Sequence, residues 1–143
     1  MPAKPTARAS AVVQRPVDHV WAVLIDHEAM SSWGPGLTVT LDKAGSPDRN
    51  GLGAVRRISA PGPMPAIVEE VVRFEPETAF GYAARGGVPF KNYGGEVVLT
   101  PVAGGTRIDY AISLDERIPL VEKGAAALVA RVLLTALVRA SKR

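Results

Sequence analysis

The chain contains no cysteine and only two histidines, and these shortages remove much of the chemistry a sequence can announce. Without thiols there are no disulfides, no thiolate zinc sites and no cysteine nucleophile. His19 and His27 stand alone. Neither belongs to a His-Glu-x-x-His pair, and no Asp, Glu and His cluster has metal-ligand spacing, so no metal and no other cofactor is expected. There is no Gly-x-Ser-x-Gly elbow for a serine nucleophile. Gly51-x-Gly53 opens a strand rather than a helix and lacks a third glycine, so it reads as turn chemistry and not as a dinucleotide fingerprint.

Uninterrupted apolar runs are missing too. The C-terminal segment alone is long enough to cross a bilayer, and Glu122, Lys123 and Arg131 interrupt it, so no membrane span is expected. The first ten residues carry Lys4 and Arg8 with no apolar core or cleavage site behind them, so no secretory signal is expected. A reducing cytoplasm suits a chain without cysteine. The net charge is +3, but the basic residues are scattered singly or in pairs, as in Arg56-Arg57 and Lys142-Arg143, without interleaved aromatics. Nucleic acid is therefore not the expected partner.

What remains is an ordinary globular composition, 47% hydrophobic and 22% charged over 143 residues, enough for one domain with a real core. Residues 1–8 are expected to form a flexible tail. The dominant element is a helix from Pro119 to Ser141. At about 100° per residue, Val121, Ala125, Leu128, Val129, Val132, Leu133, Ala136 and Ala140 share one apolar face. Leu134 and Val138 fall outside it. Asp115 and Glu116 before the helix, and Arg139, Lys142 and Arg143 at its end, complement its dipole.

A first strand is expected within Thr6 to Gln14, then a helix from Arg15-Pro16 with Val17, Val20, Trp21 and Leu24 on its inner face, and a short helical piece from Glu28 to Ser32. After Trp33-Gly34-Pro35-Gly36 the period changes to two. Strands follow over Leu37 to Lys43, Ala54 to Ser59, Ala66 to Phe74, Ala79 to Arg85, Tyr93 to Thr100 and Arg107 to Leu114. Alternation with one wet face means antiparallel strands. The expected fold is α+β, a seven-stranded antiparallel sheet wrapped around a long C-terminal helix, with two short helices after the first strand.

Several stretches resemble a known family: Pro16-Val17 leading to Trp21, Gly51-Leu52-Gly53-Ala54-Val55-Arg56-Arg57, Glu69-Glu70-Val71 leading to Phe74-Glu75-Pro76, Tyr93-Gly94-Gly95-Glu96-Val97, Leu99-Thr100-Pro101 and Gly104-Gly105-Thr106-Arg107-Ile108. In order and spacing, from about Ala9 to the C-terminus, they are similar to the polyketide cyclase/dehydrase and lipid-transport branch of the START/Bet v 1-like (SRPBCC) superfamily. The resemblance implies a helix-grip fold around a deep cavity, and functions ranging from aromatic cyclases to carriers of lipids, hormones and quinones. It transfers no catalytic residue, and catalytic residues stay unassigned.

If the sheet's concave face lines a cavity, Phe80, Tyr82, Tyr93, Tyr110 and Ile112 point into it from strands, and Leu128 and Val132 from the helix. Tyrosines suit such a wall because a ring can line it while the hydroxyl orients a guest. A filled core is the rival reading. Trp33 is a candidate beside the entrance implied by the resemblance, whereas Trp21 is expected in the core. A hairpin near Gly62-Pro63 brings Arg56 opposite Glu69 or Glu70. One register step decides which pair faces inward. An outward or structural pair is the expectation, yet Arg56 is kept among the ligand-contact candidates. His19 is expected in solvent, and His27 nearer the mouth. The expected partner is a hydrophobic small molecule such as a lipid, polyketide-like aromatic or isoprenoid. An enzyme of the cyclase/dehydratase kind and a homodimer contact through Leu120, Leu134 and Val138 are the alternatives.

Overall fold

Alternation shapes the sheet as a layer with one dry face. In Gly105–Ser113, Thr106, Ile108, Tyr110 and Ile112 are buried while Arg107 pairs with Asp109 on the outside. The structure, a computed structural model, describes residues 5–115 and 119–143. The chain runs β1 (Ala7–Val13), α1 (Val17–Ile25), a 3₁₀ segment (Glu28–Trp33), β2 (Thr38–Lys43), β3 (Val55–Ser59), β4 (Ile67–Glu75), β5 (Ala79–Gly86), β6 (Gly94–Val102), β7 (Gly105–Ser113) and α2 (Pro119–Ser141). The seven strands form one antiparallel sheet in the order β1-β7-β6-β5-β4-β3-β2. From one edge strand to the other the chain crosses through α1 and the 3₁₀ segment. α2 lies against β1, β7, α1 and the 3₁₀ segment.

α1 buries Val20, Trp21 and Leu24, with the Trp21 ring 5.2 Å from that of Phe74. Burying such side chains contributes on the order of 2 kcal/mol each. The start of α1 is tied to the end of α2: His19 Nε2 lies 2.9 Å from the Ser141 carbonyl oxygen, and the Arg15 guanidinium donates to the Lys142 carbonyl at 2.6 Å. His19 is thus half-buried and not free in solvent.

Three expectations need correction. Residues 7 and 8, expected in the tail, open β1, and the Thr6 amide already bonds the Ile112 carbonyl. The packed face of α2 is turned about a third of the way round the helix from the expected one. Ala126, Ala130, Leu134 and Leu137 are buried, whereas Leu128 is 66% and Val121 64% exposed. The helix is apolar around most of its circumference, so hydropathy marked no single face, and small alanines serve the side that comes closest to the sheet. Leu134, expected outside the packed face, is 5% exposed, which removes it from a homodimer contact. Glu116 and the side chain of Leu120 lie outside the described residues.

Candidate functional site

The pairing of β3 with β4 fixes the charges first. Arg56 aligns with Glu69 and Val55 with Glu70. Successive side chains take opposite faces, so this register sends Arg56 and Glu69 inward and Arg57 and Glu70 outward. Arg56 and Glu69 are each only 4% exposed. Arg57 instead meets Asp42 at 2.9 Å, and Glu70 meets Arg85 at 3.1 Å, both on the surface. The expected outward Arg56 is therefore corrected: two strands with no polar turn between their inner faces left the register open, and the pairing closed it.

A buried Arg needs partners for its donors. Arg56 Nε donates to Glu69 Oε1 at 2.9 Å, and Nη2 lies 2.7 Å from the same oxygen. Nη1 is 3.2 Å from His27 Nδ1 and 3.1 Å from the sulfur of Met30. The guanidinium carbon sits 4.8 Å from the centre of the Tyr82 ring and 5.7 Å from that of Phe80, within cation–π range of both. Burial opposes the charge on Arg56, but Glu69 beside it raises its pKa further above an already high value.

His27 was expected near the mouth. It is instead fully buried, with Nε2 2.8 Å from the Asn50 carbonyl oxygen. A carbonyl only accepts and a guanidinium only donates, so Nε2 carries the proton and Nδ1 accepts a hydrogen bond from Arg56. Burial, and then the Arg56 charge, lower its pKa to about 4. His27 is neutral at pH 7.

Tyr82 and Tyr110 form the next layer, their hydroxyls 2.8 Å apart. Tyr82 crosses from β5 over β6 to reach β7. Gly95 on β6, its partner in the ladder, leaves it room: a Cβ there would lie 2.3 Å from the ring carbon bearing the hydroxyl. Burial pushes the Tyr93 hydroxyl up to about 12 and raises Tyr82 and Tyr110 as well, so all three stay protonated at neutral pH.

These groups border a cavity of about 380 Å³ between sheet and α2. Its polar wall is Arg56, Glu69, Tyr82, Tyr93 and Tyr110; its apolar wall includes Ile58, Ile67, Val88, Phe90, Val129 and Leu133, with Met30, Trp33 and Leu37 from the 3₁₀ segment and the stretch after it. Of the residues singled out in the sequence, Trp33, Arg56, Tyr82, Tyr93, Tyr110 and Val132 come together here. Phe80 does not line the space: it stands behind Arg56 and His27. Leu128 also lies outside it, in a shallow groove with Arg131 and Arg139 on the outer surface of α2. Ile112 is buried in the core below α2.

Ile58 and Ile67 were missed as lining residues. Their signal was present in the strand parity, since Ile58 shares a face with Arg56 and Ile67 shares one with Glu69. Val88 and Phe90 come from the loop after β5 and carry no periodic signal. Among the described residues no three or more His, Asp or Glu are placed to hold a metal, and no helix is long and apolar enough to cross a membrane.

Residues 4–142 match the family model described as polyketide cyclase / dehydrase and lipid transport. Comparison with curated proteins returns no match. Solved structures share the fold. A START superfamily protein from Mycobacterium smegmatis superposes with a TM-score of 0.72 at 14% identity, covering 95% of this chain and 96% of that one. The allergen Ara h 8.0201 gives 0.71 at 13%, over 94% of this chain and 92% of its own. DynU16, from the dynemicin biosynthetic locus, gives 0.72 at 21%, over 93% of this chain but 45% of its own. At these identities the likeness speaks for the fold alone.

Proposed function

The chain belongs to the polyketide cyclase/dehydrase and lipid-transport family, and on that premise we propose that it is a carrier or sensor holding a hydrophobic small molecule between its sheet and α2. A lipid, a polyketide-like aromatic or an isoprenoid has the required character, and a cytoplasmic setting fits a chain without cysteine. The observation that carries this reading is the cavity itself. A space of about 380 Å³ walled by Ile58, Ile67, Phe90, Val129, Val132 and Leu133 is of ligand-binding size, and it meets polar groups along one side only. Trp33, Tyr82, Tyr93, Tyr110 and Val132 contact the guest in this reading, with Arg56 beside its polar end and Phe80 supporting Arg56 from behind.

Native mass spectrometry of the protein purified from cells tests the proposal by the mass of a retained apolar molecule. Binding of the neutral dye Nile red tests it independently. Leu133→Trp, which fills the space from α2, should abolish dye binding while unfolding stays cooperative; undiminished binding in that variant overturns the reading.

A cyclase/dehydratase-type enzyme is the second reading. It is favoured by the protonated Tyr82 and Tyr110 hydroxyls, which can stabilise an enolate oxygen in a largely apolar pocket. Under this reading Tyr82→Phe or Tyr110→Phe lowers turnover of a poly-ketone substrate more than it weakens binding. Under the carrier reading no turnover is there to lose.

A further inference from the structure

A buried arginine beside an apolar cavity suggests at first a clamp for a carboxylate, as a fatty acid would need. The surroundings of Arg56 argue otherwise. Its Nε and Nη2 are directed at the Glu69 carboxylate, Nη1 at His27 and Met30, and one ring face of Tyr82 covers it. Glu69 holds the position that an acidic ligand would take. The sum of charges follows directly. Arg56 contributes one positive charge, Glu69 one negative, and His27 none, because its two nitrogens are fixed as one donor and one acceptor. No other residue lining the cavity is charged at neutral pH.

The tyrosines supply what the ion pair does not. The Tyr82 and Tyr110 hydroxyls are 2.8 Å apart and the Tyr93 hydroxyl also bonds that of Tyr82, so three hydroxyls hold three hydrogens and their two mutual bonds use two. One hydrogen is left over, and all three tyrosines line the cavity. One O–H donor is therefore available to a guest, together with hydroxyl lone pairs.

We infer that the cavity selects a ligand whose buried end is uncharged and accepts a hydrogen bond, a ketone, quinone carbonyl, ester or phenol-type oxygen on an apolar body, and rejects acids and amines of the same body. This rests on the ligand-binding reading above and narrows it to a chemical class. A charged group brought to this end would lose its water without gaining a counter-ion, since each charge already has one.

Three naphthalene probes with one ring system test it: 2-acetylnaphthalene, 2-naphthoate and 2-(aminomethyl)naphthalene as its ammonium form, each titrated at pH 7 by displacement of Nile red. The ketone is expected to bind at least about tenfold more tightly than either ion. Equal or tighter binding of naphthoate overturns the inference and leaves the ligand-binding reading standing; failure of all three, and of the dye, overturns both. In Tyr82→Phe/Tyr93→Phe/Tyr110→Phe the ketone's advantage over 2-ethylnaphthalene should fall about three- to tenfold, the worth of one neutral hydrogen bond. An unchanged advantage overturns the assignment of the donor. Glu69→Gln leaves Arg56 with a net positive charge, so naphthoate should gain at least about tenfold relative to the ketone. No gain in a folded Glu69→Gln overturns the charge balance.

Discussion

Tyr82 lies across Gly95 of the neighbouring strand, in space that a Cβ at residue 95 would take from it. The ring's reach over β6 to the Tyr110 hydroxyl on β7 depends on that one missing side chain. Gly95→Ala should therefore push the ring aside and cost about 1–3 kcal/mol, the range for overpacking a filled interior. In a Tyr82→Ala background the same change should be close to neutral. A double-mutant cycle by thermal or denaturant unfolding measures the difference, and equal costs in both backgrounds would show that the ring is not the obstacle.

Glu69→Gln and Arg56→Met differ from the paired change in a way that reports burial. Removing either partner alone leaves the other charge in the interior and should cost about 3–5 kcal/mol. Arg56→Met combined with Glu69→Leu should cost less than either single change. Denaturant midpoints of the three variants check the order.

The outer pairs provide the contrast. Arg57 with Asp42, and Arg85 with Glu70, are solvent-exposed. Arg57→Ala should change stability by less than about 1 kcal/mol and leave Nile red binding unaltered. A large effect at Arg57 with a small one at Arg56 would mean that the strands pair one residue out of the register described.

Acid should weaken the fold through His27. Its pKa is about 4 in the folded chain, while an unfolded histidine titrates near 6.5. Between these values the unfolded state binds the proton and the folded state does not, so stability falls as pH drops from about 6.5 to about 4, by up to about 3 kcal/mol. His27→Gln should flatten the pH dependence of the unfolding midpoint in this window. An unchanged slope would place the acid sensitivity elsewhere.

α2 supplies a packing test. Leu134 is buried and Leu128 exposed, so Leu134→Ala should cost about 2–5 kcal/mol and Leu128→Ala less than about 1 kcal/mol. Comparable losses at both positions would mean that the helix is rotated from the orientation described.

The contrast between β7 and α2 shows what local pattern can and cannot disclose. Ile108, Tyr110 and Ile112 alternate with Arg107 and Asp109, so a period of two announced both the strand and its inner face. α2 offered Ala, Val and Leu on nearly every side. Its ends were legible from Pro119 and the closing polar residues, but which face packs depends on how closely the backbone approaches the sheet, and Ala126 and Ala130 decide that. The site divides in the same manner. Tyr82, Tyr93 and Tyr110 were found by parity within single strands. The inward turn of Arg56 and Glu69 needed the alignment of two strands across a proline-rich connection, and the burial of His27 needed a carbonyl from a loop more than 20 residues away, at Asn50.

That loop has a reach beyond its position. Between β2 and β3 the chain folds on itself through the Gly45 amide on the Arg49 carbonyl and the Asn50 amide on the Asp48 side chain. The Asn50 carbonyl then holds an imidazole whose other nitrogen steadies a guanidinium beside the tyrosine pair. Exterior and interior are linked by a relay only three contacts long, so an edit to this outer loop is also an edit to the far end of the pocket.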